Sequence, residues 1–288
     1  MTADPSDIKL KLADGSRVQI ARQGTHILSC KPSGGVAQLY LSPKSARDGH
    51  TPIRGGVPIC FPQFNQRVLG DVPCPKHGFA RNLPWKLESK DNQAKQAQAT
   101  LTLSDSDQTR VHWPYAFEAG VQIRLAPGQL SIKFAVTNTD ARPWSFALAL
   151  HSYVRVDEIA VAALNGLQGQ SYWDAVLHPQ DTQALSKQSD ADLRIDGHVD
   201  RVYTSPGAAM QLRRGAEKAL QISQSKSLSE VVVWNPGKDL CAQLADMPAD
   251  GYQHMLCVEA GRINQPVMLA PGAQWSGWQA FALVDNRA

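Results

Sequence analysis

The clearest signal along the chain is an alternation of apolar and polar positions with a period of two. Val121, Ile123 and Leu125 alternate with polar or small neighbours, Pro127-Gly128 interrupts, and Leu130, Ile132, Phe134 and Val136 resume the pattern. Side chains on a strand point to opposite faces in turn, so this stretch predicts a hairpin with one buried face. Leu101 and Leu103, set between Thr100 and Thr102, continue the pattern upstream. Further short strand-like runs lie at 38–42, 144–156, 230–234, 255–260 and 275–284. Turn signals separate many of them: Asp14-Gly15, Ser33-Gly34-Gly35, Pro206-Gly207 and Pro271-Gly272. No long stretch carries an apolar stripe at helical spacing. Many short strands with frequent turns predict an all-β, antiparallel sandwich. The chain is expected to form one domain over residues 1–288, with the polar stretch 180–192 as a long surface loop.

Composition narrows the function classes. With 29 Lys and Arg against 26 Asp and Glu, the net charge is only +3, and no basic stripe is present. A nucleic-acid partner is therefore not expected, and a cation that binds an anion would do so at a point. Residues 1–12 lack the basic and apolar regions of a secretory signal, and the longest apolar run, 146–150, is too short to span a bilayer. The five cysteines include no CxxC pair, which fits reduced thiols and a cytoplasmic location. The eight histidines show no HxH or HExxH spacing, so no metal is expected.

Several segments carry candidate chemistry. In Arg54-Gly55-Gly56, paired glycines allow a close backbone approach beside an arginine, although a plain turn has the same look. Pro75-Lys76-His77-Gly78-Phe79-Ala80-Arg81 packs two cations and a histidine into a short loop. A guanidinium offers planar paired donors to a phosphate, and a lysine adds a mobile point charge. In the strand around His151, parity puts Phe146, Leu148 and Leu150 on one face. Ala147, Ala149, His151, Tyr153 and Arg155 share the other, where two alanines leave room for a ligand. Glu259 ends an apolar run, as a solvated strand end or as a group held in a partly dry site. His254 has the opposite parity and is left as a core or edge histidine. Asp200 opens another strand, as a turn residue or as an acceptor for sugar hydroxyls. The seven tryptophans could stack on sugar faces, but none is assigned over the core. Neither GxSxG nor GxGxxG occurs, which leaves proton transfer by side chains as the economical chemistry.

Six blocks in order resemble the glucose-6-phosphate 1-epimerases, or hexose-6-phosphate mutarotases. They are Arg-Gly-Gly-Val-Pro-Ile-Cys-Phe-Pro at 54–62, His-Gly-Phe-Ala-Arg at 77–81, His-Ser-Tyr at 151–153, Asp-Arg-Val-Tyr at 200–203, Val-Val-Trp-Asn-Pro at 232–236, and Asp-Gly-Tyr with Val-Glu-Ala-Gly within 250–261. The resemblance implies a galactose mutarotase-like β-supersandwich, a cofactor-free monomer and an open cleft across one sheet. It implies His151 as general acid and Glu259 as general base, Arg54 and Arg81 as sugar-phosphate ligands, and His77 and Asp200 lining the sugar site. Lys76 departs from the family, which often carries glutamine there; it is expected to strengthen phosphate binding or to face water. On this basis the pair is expected on opposite sides of a pyranose-sized gap, Glu259 ionised and His151 protonated near neutrality. Two alternatives remain: an aldose 1-epimerase of free sugars, and a non-catalytic sugar-phosphate-binding protein.

Overall fold

The structure, a computed structural model, describes residues 6–66, 73–204, 209–215 and 218–285. The Pro206-Gly207 turn signal lies outside the described residues. Among the described residues the architecture is three antiparallel sheets, two of them large and packed on a shared core.

The nine-stranded sheet contains the hairpin that the alternation predicts. Phe117–Ala126 pairs with Gln129–Asn138, with Leu125 opposite Leu130, and Ala97–Ser104 adds on with Leu101 opposite Val121. Its inward residues face Phe146, Leu148 and Leu150 of the eight-stranded sheet within one core cluster. Phe61 sits at the meeting point, its ring centroid 5.3–5.5 Å from those of Trp113, Phe117, Phe134 and Phe146. Burying side chains of this size contributes about 1.5–3 kcal/mol each, which makes this layer the main cohesive element.

The eight-stranded sheet presents its other face to the cleft. Its central strand, Met255–Leu269, runs between Glu230–Asn235 and Trp144–Leu150. The run expected as one strand at 144–156 is two, Trp144–Leu150 and Tyr153–Arg155, parted at His151 and Ser152. Parity nevertheless carries across the break. Leu150 pairs with Ala260 and Tyr153 with Cys257, and the same register sets His151 across from Glu259.

Two expectations need correction. Residues 38–42 form only isolated bridges, Leu39 with Val154 and Leu41 with Gly55, because the segment runs beside each neighbour for only a few residues before it turns away. The stretch 180–192 is not a plain loop. Leu185–Lys187 forms an exposed edge strand on Ser171–Asp174, and Asp192 begins another short strand. Polar edge strands show no buried face and so no alternation to read.

Candidate active site

Strand register brings the catalytic candidates to one patch of sheet. His151 lies across from Glu259, and Glu259 pairs with Val232 on its other side. In the next row Tyr153 is opposite Cys257, Cys257 opposite Trp234, and Trp234 opposite Asp200. Residues opposite one another on antiparallel strands share a face, so all of these project together. Ala147 and Ala149 sit beside them, as parity predicts.

A polar staple from the other sheet holds the two strands at this point. The Ser152 hydroxyl donates to Gln279 Oε1 at 2.7 Å, and Gln279 Nε2 donates to the carbonyl of Val258 at 2.9 Å. Both side chains are fully buried, and one lies next to His151 while the other contacts the neighbour of Glu259.

His151 Nδ1 stands 3.1 Å from Glu259 Oε1. The two groups are therefore neighbours, not opposed across a sugar-sized gap. Sheet register is the reason, since it sets the two residues directly opposite each other on adjacent segments. Glu259 Oε2 is buried without a hydrogen-bond partner. Burial pushes the Glu259 carboxyl well above its usual range, helped by the charge of Asp200. Burial likewise pulls His151 well below 6.5, helped by His77, Arg54 and Arg81. Desolvation thus opposes charge on either group, contrary to the expected ionised pair, and His151 Nδ1, like Glu259 Oε2, is buried without a hydrogen-bond partner.

The cleft above this patch has two lobes. One, about 220 Å³, is lined by Glu259, Asp200, Val232, Trp234 and Phe64 among others. The other, about 170 Å³, holds Arg81, Asp246, Tyr153 and Thr51. Arg54, Lys76, His77 and His151 line both.

The cationic lobe is built by two glycine-dependent loops. Gly55 and Gly56 have positive φ values, and a Cβ on Gly56 would lie 2.2 Å from the Ile27 carbonyl. The close approach lets buried His26 hydrogen-bond the Gly55 carbonyl at 2.7 Å and fix the loop that carries Arg54. Gly78 is tighter still, its imagined Cβ 2.0 Å from the Phe61 carbonyl oxygen. Arg54 is held by Asp246, with Nε to Oδ2 at 3.0 Å, and donates from Nη1 to the Tyr153 hydroxyl at 3.0 Å. Arg81 Nη2 donates to the Lys76 carbonyl at 2.8 Å, while its Nε is buried without a partner. The Lys76 ammonium is drawn below its ordinary value by partial burial and by the two arginines.

His77 has a defined role in the geometry. It adopts a left-handed φ of 64°, and its Nδ1 accepts the backbone N–H of Asn65 at 3.1 Å. A neutral His77 must then carry its proton on Nε2. Burial and the nearby cations hold it well below 6.5, so it is a fixed neutral donor.

All seven candidates thus line this cleft: His151, Glu259, Arg54, Lys76, His77, Arg81 and Asp200. Sequence reasoning gave no role to Trp234, Asp246 or Tyr153. Trp234 shares parity with Val232 and could have been found only once Glu259 was paired with that strand. His254 lies apart, exposed, with Nδ1 2.9 Å from the Asp157 carbonyl oxygen.

Comparison with known proteins places this arrangement. The aldose 1-epimerase family profile matches residues 6–282. A protein of Cenchrus ciliaris named as a candidate glucose-6-phosphate 1-epimerase is 31% identical over 98% of this chain and 87% of its own. One from Escherichia coli K12 with the same name is 32% identical over 86% of this chain and 81% of its own. The crystal structure of a candidate mutarotase from Salmonella typhimurium superposes with a TM-score of 0.85 at 28% identity, covering 99% of this chain and 96% of that one.

Proposed function

The chain belongs to the aldose 1-epimerase family, and from that premise we propose that it interconverts the α and β anomers of a hexose 6-phosphate, glucose 6-phosphate first among them. The fold is the galactose mutarotase-like β-sandwich, and the family's chemistry is isomerisation at the anomeric carbon. The observation that carries the finer reading is the two-lobed cleft. A His/Glu pair 3.1 Å apart on its floor adjoins a lobe with three cations, Arg54, Lys76 and Arg81, against one pairing carboxylate, Asp246. A pyranose in the larger lobe would lie beside Trp234 and Asp200, with its phosphate reaching the cations. The names of the two relatives, each a candidate glucose-6-phosphate 1-epimerase, support the same substrate.

In this mechanism Glu259 takes the proton of the anomeric hydroxyl and His151 gives one to the ring oxygen. The C1–O5 bond breaks, the aldehyde rotates about C1–C2, and the ring closes on the other face. Closure returns the proton from O5 to His151 and from Glu259 to O1, so the pair ends as it began. Before the sugar binds, desolvation favours the neutral form of both groups. The anomeric hydroxyl, by donating to Glu259, favours the carboxylate and shifts the proton toward His151. His77, fixed as a donor, and Asp200, as an acceptor, orient the ring. Each placed proton-transfer group contributes about 10²–10⁴ in rate, ample for a reaction that already proceeds slowly in water.

One observation favours free sugars instead: Arg54 is already engaged by Asp246 and Tyr153. Exchange NMR on glucose 6-phosphate and glucose, run side by side, separates the readings. A clear preference for the phosphorylated sugar is expected. Equal turnover of both would remove the phosphate from the account, and turnover of neither would remove the enzyme.

A further inference from the structure

Cys257 takes no part in the ring opening and does not line the cleft, yet its thiol lies under the reacting pair. The Sγ of Cys257, a ring nitrogen of His151 and a carboxylate oxygen of Glu259 all fall within 4.8 Å of one another. Strand geometry forces this cluster. Residues two apart on a strand share a face, which aligns Cys257 with Glu259, and register brings His151 in from the neighbouring segment. All three side chains are buried, and Glu259 Oε2 has no partner there.

We propose that this cluster is an inhibitory binding site for a thiophilic divalent cation, Zn²⁺ in type, which enters from the cleft and is held by His151, Glu259 and Cys257. Imidazole, carboxylate and thiolate are the three ligand types that zinc takes, with a fourth position left open. His151 and Glu259 line the cleft, so a water molecule could complete the coordination from there. The His–Glu spacing of 3.1 Å already matches two ligands on one ion with bonds of about 2.0–2.1 Å, and the sulfur must close to about 2.3 Å. Three metal–ligand bonds form, while the thiol proton and the carboxyl proton of Glu259 leave to solvent; nothing is oxidised or reduced. A dication with one thiolate and one carboxylate is neutral overall, so Arg54, Lys76 and Arg81 do not repel it. Mg²⁺ and Ca²⁺, which require oxygen ligands, do not fit. No spacing motif announces the site because its ligands come from two segments brought together by sheet pairing.

The inhibition rests on the proposed role of the pair; the binding does not. The test uses the full chain after chelator treatment, titrated with Co²⁺ for a thiolate-to-cobalt absorption band and with Zn²⁺ by calorimetry. Loss of even an indirect partner of a metal ligand typically weakens binding about 10–100-fold, so removal of a direct ligand should weaken it at least tenfold. The expected result is one ion per chain, a thiolate band, and at least a tenfold loss in both Cys257→Ala and Cys257→Ser, with Cys74→Ala unchanged. Zn²⁺ should also stop glucose 6-phosphate epimerisation, reversibly by chelator, while Cys257→Ala stays active and resists the metal. Absence of the band, or equal affinity in the Cys257 variants, overturns the site. A Cys257-dependent band in a protein with no epimerase activity keeps the site and removes the proposed function. Active protein indifferent to Zn²⁺ does the reverse.

Discussion

The ring of Tyr153 lies parallel to the imidazole of His151, with 4.8 Å between centroids and 7° between planes. The Tyr153 hydroxyl in turn accepts from Arg54, which Asp246 holds. A charged chain at the cleft rim therefore sets the plane of the imidazole on its floor. An aromatic pair of this kind is worth about 0.5–1.5 kcal/mol beyond its burial. Tyr153→Leu should then lower kcat by about two- to tenfold, at 1.36 kcal/mol per decade. Steady-state kinetics should show KM little changed; a shift confined to KM would mean that the ring serves binding alone.

The cation lobe predicts a difference between substrates. Truncating one partner of a desolvated charged pair costs about 2–5 kcal/mol, and half-buried Arg81 belongs at the low end, roughly 30-fold. Arg81→Ala should cost glucose 6-phosphate that much in kcat/KM and leave glucose nearly untouched. Equal losses on the two sugars would contradict a phosphate contact.

The pH profile follows from the burial of the proposed proton-transfer pair. Burial lowers His151 below 6.5, so a second proton joins the pair only in acid below that value. Burial raises Glu259 above 4.5, so the last proton leaves only above that value. Activity on glucose, which has no titrating phosphate, should have its acid limb below 6.5. A half-maximal rate at or above 6.5 on the acid side would show that the imidazole is not desolvated as described.

The inter-sheet staple offers a test of positioning. Replacing buried Gln279 with Met leaves the Ser152 hydroxyl and the Val258 carbonyl without the partner each has now. An unpaired buried group costs about 1–3 kcal/mol, and in a chain of this length each kcal/mol lowers Tm by about 2–4 °C. Gln279→Met should lower both Tm and kcat. An unaffected kcat at reduced Tm would make the staple purely structural.

The core face and the cleft face of the His151 strand were legible from parity alone, because a buried sandwich strand must alternate. Alternation over 121–136 also revealed the hairpin that Phe117–Ala126 and Gln129–Asn138 form. Lys86–Asn92 and Leu185–Lys187 gave no such signal, since exposed edge strands have no face to bury. All seven cleft candidates stand out in the sequence as chemistry-bearing residues, but their roles came from the resemblance of the family blocks and not from the pattern. The spacing within the pair was misjudged because sequence carries no cross-strand distance, and register supplies it. Trp234 and Asp246 received no role for a related reason. A tryptophan in a sandwich usually belongs to the core, and a loop aspartate shows its partner only after folding.

The role of the pair is tested most directly by exchange NMR of glucose 6-phosphate anomers with wild-type protein, Glu259→Gln and His151→Asn, each checked for unchanged near-ultraviolet circular dichroism. Both variants should lose about 10²–10⁴ in rate while remaining folded. Turnover near wild type in either folded variant would contradict the assignment of acid and base.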